Sequence, residues 1–151
     1  MSPSIRSDQT DICDLLNSNK IDRSSCHGRP DLESVAPWYA SAAITCETAE
    51  GSSKVQFLRY RTSTDMEAYL DRAAKSVNGL GDCNQGQEMN GTWHTPTSAT
   101  LGRKVCIFLK SGKFQINWAF NMERVVAIRE DQSATSAASW WYKNACVLNR
   151  C

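Results

Sequence analysis

The sequence predicts an α+β protein: an antiparallel sheet of about five to six strands with helices packed on it, stapled by disulfides, in the order α-β-β-α-β-β-β-β-α. Three observations predict it. Apolar residues recur at helical spacing in three segments and alternate with a period of two in six others. The strand-like segments follow one another through short turns bearing Gly, Asn or Ser, a linkage that pairs neighbouring strands antiparallel. Seven cysteines are spread along the chain with no CxxC pair among them, a pattern that suits disulfides better than metal ligation.

The first helix is predicted over Asp8 to Leu16, where Ile12, Leu15 and Leu16 share a face and acidic residues occupy the first turn, as the helix dipole favours. Residues 1–10 read as a flexible lead, and 11–151 as one extracytoplasmic domain. Asn17 to Ser34 is polar, contains Gly28 and Pro30 and shows no period, so it reads as a loop held through Cys26. Trp38 to Glu47 then alternates, with Ala42, Ile44 and Cys46 against Ala43 and Thr45. A turn at Glu50-Gly51-Ser52-Ser53 leads to Val55 to Arg61 and closes a hairpin.

The strongest helical signal follows. Met66, Tyr69, Leu70, Ala73 and Val77 fall on one stripe, Thr64 and Glu67 have capping-box spacing, and Gly79 is placed to end the helix. Gly79 to Gly91 is glycine-rich and carries Cys83, which predicts a loop that turns at Asn90-Gly91 into a short strand at Thr92 to His94. Three more strands are expected at Lys104 to Leu109, Phe114 to Phe120 and Arg124 to Arg129. The last helix, Ser133 to Ala145, lines up Ala134, Ala137, Ala138, Trp141 and Ala145. Helices with one apolar stripe must lie on the sheet, which predicts a two-layer sandwich without repeat or linker.

Length and composition exclude several classes. At 151 residues, with 41% hydrophobic and 22% charged side chains, the chain is neither disordered nor low-complexity. Its longest apolar runs, Val105 to Leu109 and Val125 to Ile128, are far shorter than the roughly 20 residues a membrane helix needs, so no membrane insertion is expected of this segment. Residues 1–100 carry a net −4 and residues 101–151 a net +5, with Arg103, Lys104, Lys110 and Lys113 clustered. That excess is small for a nucleic-acid binder, and a solvated hairpin rim is the simpler reading.

Few residues suggest chemistry. His27 beside Cys26, and His94 between Cys83 and Cys106, lack zinc-site spacing, so no metal is expected. There is no nucleophile elbow and no HExxH, and GLGDCNQG follows a helix rather than a strand, unlike a phosphate-binding loop. Neither a catalytic residue nor a cofactor is therefore predicted. The five tryptophans are more telling: Trp118 and Trp141 fall at core positions, whereas Trp140 lies off its helix stripe and Trp93 lies beside His94 near the glycine loop. Trp93, His94, Arg103, Lys104 and Trp140 would combine an aromatic platform with basic groups and form the candidate ligand site. An odd cysteine count leaves one thiol over, and Cys151 is the natural candidate for a free or intermolecular thiol, which would allow a homo-oligomer.

From Leu16 to Trp141 the layout resembles a domain of actinobacterial exported proteins, including extracellular regions of receptor-type serine/threonine protein kinases and small cell-surface lipoproteins. The resemblance rests on Cys26, Cys46 and Val55-Gln56-Phe57, then Asp65-Met66-Glu67-Ala68-Tyr69, Gly81-Asp82-Cys83 and Gly91-Thr92-Trp93. It continues through Gly102-Arg103-Lys104-Val105-Cys106, Trp118 and Trp140-Trp141. It implies disulfides Cys26–Cys46 and Cys83–Cys106. Of the three cysteines outside the pattern, Cys13 is expected to bond Cys146 and tie the first helix to the last. The implied function is non-catalytic: an extracytoplasmic sensing or binding domain for a cell-wall, peptide or protein ligand. The alternative is a secreted structural subunit of a surface fibre or particle, assembling through its surface and a spare cysteine, Cys151.

Overall fold

The computed structural model describes residues 5–77 and 81–151. Three helices, α1 (Ser7–Leu15), α2 (Ser63–Ala73) and α3 (Ala134–Asn144), surround one sheet. Its strands are β1 (Ile21–Gly28), β2 (Ala42–Thr48), β3 (Lys54–Arg59), β4 (Met89–Trp93), β5 (Gly102–Phe108), β6 (Phe114–Phe120) and β7 (Val125–Asp131). The order across the sheet is β1-β2-β3-β7-β6-β5-β4, and every neighbouring pair is antiparallel. The fold is α+β with seven strands. Two consecutive-strand meanders therefore meet at the β3–β7 pair, where Phe57 faces Ala127 and Leu58 faces Val126.

The strand beyond the expected number is β1, within the polar stretch predicted to be a loop. It is an edge strand with an irregularity between Asp22 and His27, and only Ile21 and Cys26 in it are buried. An edge strand has backbone partners on one side only and can be polar on most of its length, so alternation is lost. The other shift in the first hairpin is the start of β2, four residues after Trp38. The predicted flexible lead also ends early: α1 begins at Ser7, and Gln9, 2% exposed, accepts the Arg6 amide through Oε1 at 2.9 Å.

The layers differ from the expected two. Strand alternation sends Ile44, Phe57, Ile116, Trp118 and Ala127 to one face, where they pack with Ile12 of α1, Leu16 just beyond it, and Ala137 and Trp141 of α3. The intervening residues Ala43, Leu58, Ala119, Val126 and Ile128 point to the other face and meet Met66, Tyr69 and Leu70 of α2. Helices on both faces bury the sheet twice, making a three-layer sandwich. The run Phe114–Phe120 in β6 is accordingly buried at every position. Each large apolar side chain buried this way contributes roughly 1.5–3 kcal/mol. Asn117 lies in this run because its polar atoms are paired: Oδ1 accepts from Tyr69 Oη at 2.6 Å, and Nδ2 donates to Val105 O and Gln115 Oε1.

The α2 start also differs from expectation. Thr62 rather than Thr64 caps it, its Oγ1 accepting from the Asp65 amide at 3.1 Å, and the helix ends at Ala73 before Val77. Gly79, expected to close that helix, lies outside the described residues. The β5 start needs glycine: a Cβ on Gly102 would lie 2.1 Å from Ala119 O.

The structure pairs Cys26 with Cys46, Cys83 with Cys106 and Cys146 with Cys151, and leaves Cys13 free and buried. The expected Cys13–Cys146 bond and free Cys151 are thereby corrected. A short C-terminal loop brings Cys151 back to Cys146. The junction between α1 and the C-terminus is instead made by backbone and amide bonds. The Asn17 amide donates to Val147 O, Asn17 Nδ2 to Cys146 O, and the Asn149 amide to Leu15 O.

Candidate ligand-binding groove

The five residues proposed from sequence do not converge. Trp93 is 3% exposed, its Nε1 donates to Ala119 O at 2.8 Å, and its ring meets Phe120 and Trp141 edge-on, so it belongs to the core. His94, one residue on, is exposed, with Nδ1 2.7 Å from Thr95 O. Arg103 and Lys104 are adjacent in β5 and therefore point to opposite faces. Arg103 lies on the α2 side, paired with Glu67 and Asp71 at 2.9 and 2.7 Å and donating to Asn90. Lys104 is 3% exposed on the α3 side, with Nζ 3.1 Å from the centroid of the Trp141 ring. Burial there pushes its ammonium down to about 7. Neither basic residue is free to grip a ligand.

Trp140 does reach an open site. The small residues Ala137 and Ala138 are buried against the sheet, and Trp141 follows them inward. The next position round the helix, Trp140, sits half-buried at the margin, edge-on to Trp118. Its Nε1 donates at 3.0 Å to Glu50 Oε1 in the β2–β3 turn, which leans across α3. Between turn, helix and the end of β7 lies an open groove of about 470 Å³, lined by Glu50, Arg129, Ser136, Ser139, Trp140 and Lys143 among others.

Arg129 forms the inner wall. Strand parity places it on the same face as Val125 and Ala127, so a guanidinium enters the layer that α3 covers. Its side chain is 8% exposed. Cζ stands 4.7 Å from the Trp140 ring centroid, Nε donates to Ser53 Oγ at 3.1 Å, and Nη2 is 3.3 Å from Asp131 Oδ2. Nη1 is buried and has no partner among the described residues. Burial lowers the Arg129 pKa, with Asp131 and Glu50 acting against that effect, and a guanidinium remains charged at neutral pH all the same. An unpaired buried donor on a charged group costs about 1–3 kcal/mol or more. An acceptor brought into the groove would recover it.

The charges at this end do not cancel. Lys143 lines the groove, and Lys20 Nζ reaches Asn144 Oδ1 of the same wall at 3.3 Å. With Arg129 these make three cations against the carboxylates of Glu50 and Asp131. The sequence signal for this site is Arg129 itself, a charge that follows directly on the apolar run Val125 to Ile128 in one strand.

A second, larger hollow of about 660 Å³ lies between Leu101, Phe120, Met122, Arg150 and Cys151, and its wall is mainly apolar. No buried polar side-chain atom without a partner is found there among the described residues. Among those residues no group of three or more His, Cys, Asp or Glu side chains is placed to hold a metal ion, and no helix is long and apolar enough to cross a membrane. No protein-family model matches the chain, and neither a curated protein nor a solved structure matches it.

Proposed function

We propose that this chain is a non-catalytic extracytoplasmic recognition domain of an actinobacterial surface protein, of the kind found outside receptor-type serine/threonine kinases. Three disulfides in 151 residues support an oxidising compartment. The observation that carries recognition is the Arg129 guanidinium, nine-tenths buried with Nη1 unpaired, in the wall of an open groove. A donor fixed by packing and left without an acceptor is prepared for a ligand's oxygen at little ordering cost. The ligand site is thus moved from the five residues singled out in the sequence to the groove of which Trp140 alone is part. The pairing of Cys151 with Cys146 takes away the spare cysteine of the structural-subunit alternative and leaves that reading only assembly through the surface.

The test has two arms. Protein from its native source, alkylated without reductant and weighed intact, should take up one label after unfolding; seven labels would place it in a reducing compartment and end the proposal. Fractions of actinobacterial cell envelope, containing wall polymers, peptides and proteins, should raise the melting temperature of the wild type. They should leave unchanged a Ser139→Tyr variant, whose exposed site admits the ring without disturbing the core. Equal shifts in both proteins would place recognition elsewhere.

A further inference from the structure

We infer that the groove between α3 and the β2–β3 turn takes a saccharide bearing a carboxylate, an inference that rests on the recognition reading above and names its ligand class. Four features of the groove select that chemistry together. Arg129 Nη1 is a buried cationic donor without an acceptor among the described residues, Nε and Nη2 being taken by Ser53 and Asp131, and a carboxylate oxygen is a strong acceptor for one such donor. The three cations at this end exceed the two carboxylates by one, so a monoanion restores neutrality where a dianion would overshoot.

The remaining wall suits hydroxyl groups rather than a hydrocarbon. Thr135, Ser136 and Ser139 are exposed and each can donate or accept, and Glu50 accepts. A ring of alternating hydroxyls and C–H bonds needs both kinds of partner and an apolar surface beside them, and Trp140 supplies that surface. A simple inorganic anion would use Arg129 and leave the hydroxyl row idle. An apolar ligand would desolvate Arg129 further without pairing it. The volume of about 470 Å³ lies within the range of small-ligand sites, and the groove's open shape would admit one or two sugar rings of a longer polymer.

The experiment is a two-dimensional NMR titration of the whole chain with N-acetylmuramic acid. N-acetylglucosamine serves as the uncharged match, acetate as the bare carboxylate, and a mixture of envelope-derived peptides as a separate arm. The acidic sugar is expected to shift the Trp140 indole and the Ser136 to Lys143 amides, and to bind at least tenfold more tightly than either control. Arg129→Gln should abolish the difference between the acidic and uncharged sugars. Should that variant unfold, Lys143→Gln and Ser139→Tyr, both at exposed positions, should each weaken the acidic sugar at least threefold with an unchanged fold. Equal binding of both sugars, or of acetate alone, overturns the inference. Peptides shifting the groove where no sugar does would overturn the ligand class and leave the recognition reading standing. A groove silent to every probe would remove both.

Discussion

The Nζ of Lys104 lies 3.1 Å from the centroid of the Trp141 ring, between the sheet and α3. The ring face favours the cation, while burial opposes it more strongly and Asp82 helps only through a smaller attraction. Trp141 Nε1 is itself buried without a partner among the described residues, and Lys104 Nζ reaches Asn84 Oδ1 at 3.4 Å.

That pair sets a pH dependence. Folding lowers the Lys104 pKa from 10.5 to about 7, so between those values the unfolded chain holds a proton that the folded chain has lost. Stability from this group therefore rises with pH across the window and has no slope below it. Urea midpoints of the wild type should climb between pH 7 and 9 relative to Lys104→Met, which is expected to be at least as stable at pH 7. Parallel curves for the two proteins would refute the assignment.

Gly102→Ala is expected to destabilise the fold by about 1–3 kcal/mol, the usual cost of overpacking. Its methyl would meet Ala119 O, the same oxygen that accepts from Trp93. Denaturant titration gives the loss, and the near-ultraviolet signal of the tryptophans should change with it. A variant as stable as the wild type would show that β5 can shift away from β6 at no cost.

The disulfides should rank by the loops they close. Cys83–Cys106 spans 23 residues and Cys146–Cys151 only 5. Double serine variants should lose about 3 kcal/mol for the first and about 2 kcal/mol for the second on loop-entropy grounds. Cys13, at 0% exposure, should resist a thiol reagent until the protein unfolds. Rapid labelling of native protein, or a peptide map joining Cys13 to Cys146, would contradict this arrangement.

Arg103→Ala should cost about 1 kcal/mol or less, because Glu67 and Asp71 are 40% and 72% exposed and solvent screens the cluster. Added salt should shrink the difference. Ligand binding in the α3 groove should be untouched, since Arg103 lies on the other face. A Kd changed more than threefold would reopen the site placed there by sequence.

Much of the architecture was legible because burial is periodic. The stripe of Met66, Tyr69 and Leu70 reports the face that α2 buries, whereas β6 is buried on both faces and shows its strand character only through its side-chain pattern. The β1 strand was not legible, since it is held by backbone bonds to β2 while most of its side chains face water. The five residues of the expected site lie apart for a related reason. Arg103 and Lys104 look like one basic cluster in sequence, yet a strand turns neighbours to opposite sides, and only tertiary packing decides which side has room. Trp93 and Trp140 were both near polar residues, and the hydrogen bond from Trp93 to Ala119 O has no signature in the sequence. Glu50 and Ser53 of the β2–β3 turn bond to Trp140 and Arg129, contacts no spacing rule contains.

The central β3–β7 pairing has a mechanical consequence. Each disulfide stays within one meander or within the C-terminal loop, so no covalent bond other than the single connecting chain spans that seam. A peptide bond cut between Val77 and Gly81 would leave two fragments, each keeping its own staples and joined only by noncovalent contacts: hydrogen bonds, apolar packing and the ion pairs of Arg103 with Glu67 and Asp71. Such a nicked molecule would behave as a noncovalent heterodimer, separable by denaturant without any reductant and able to reassemble from its halves.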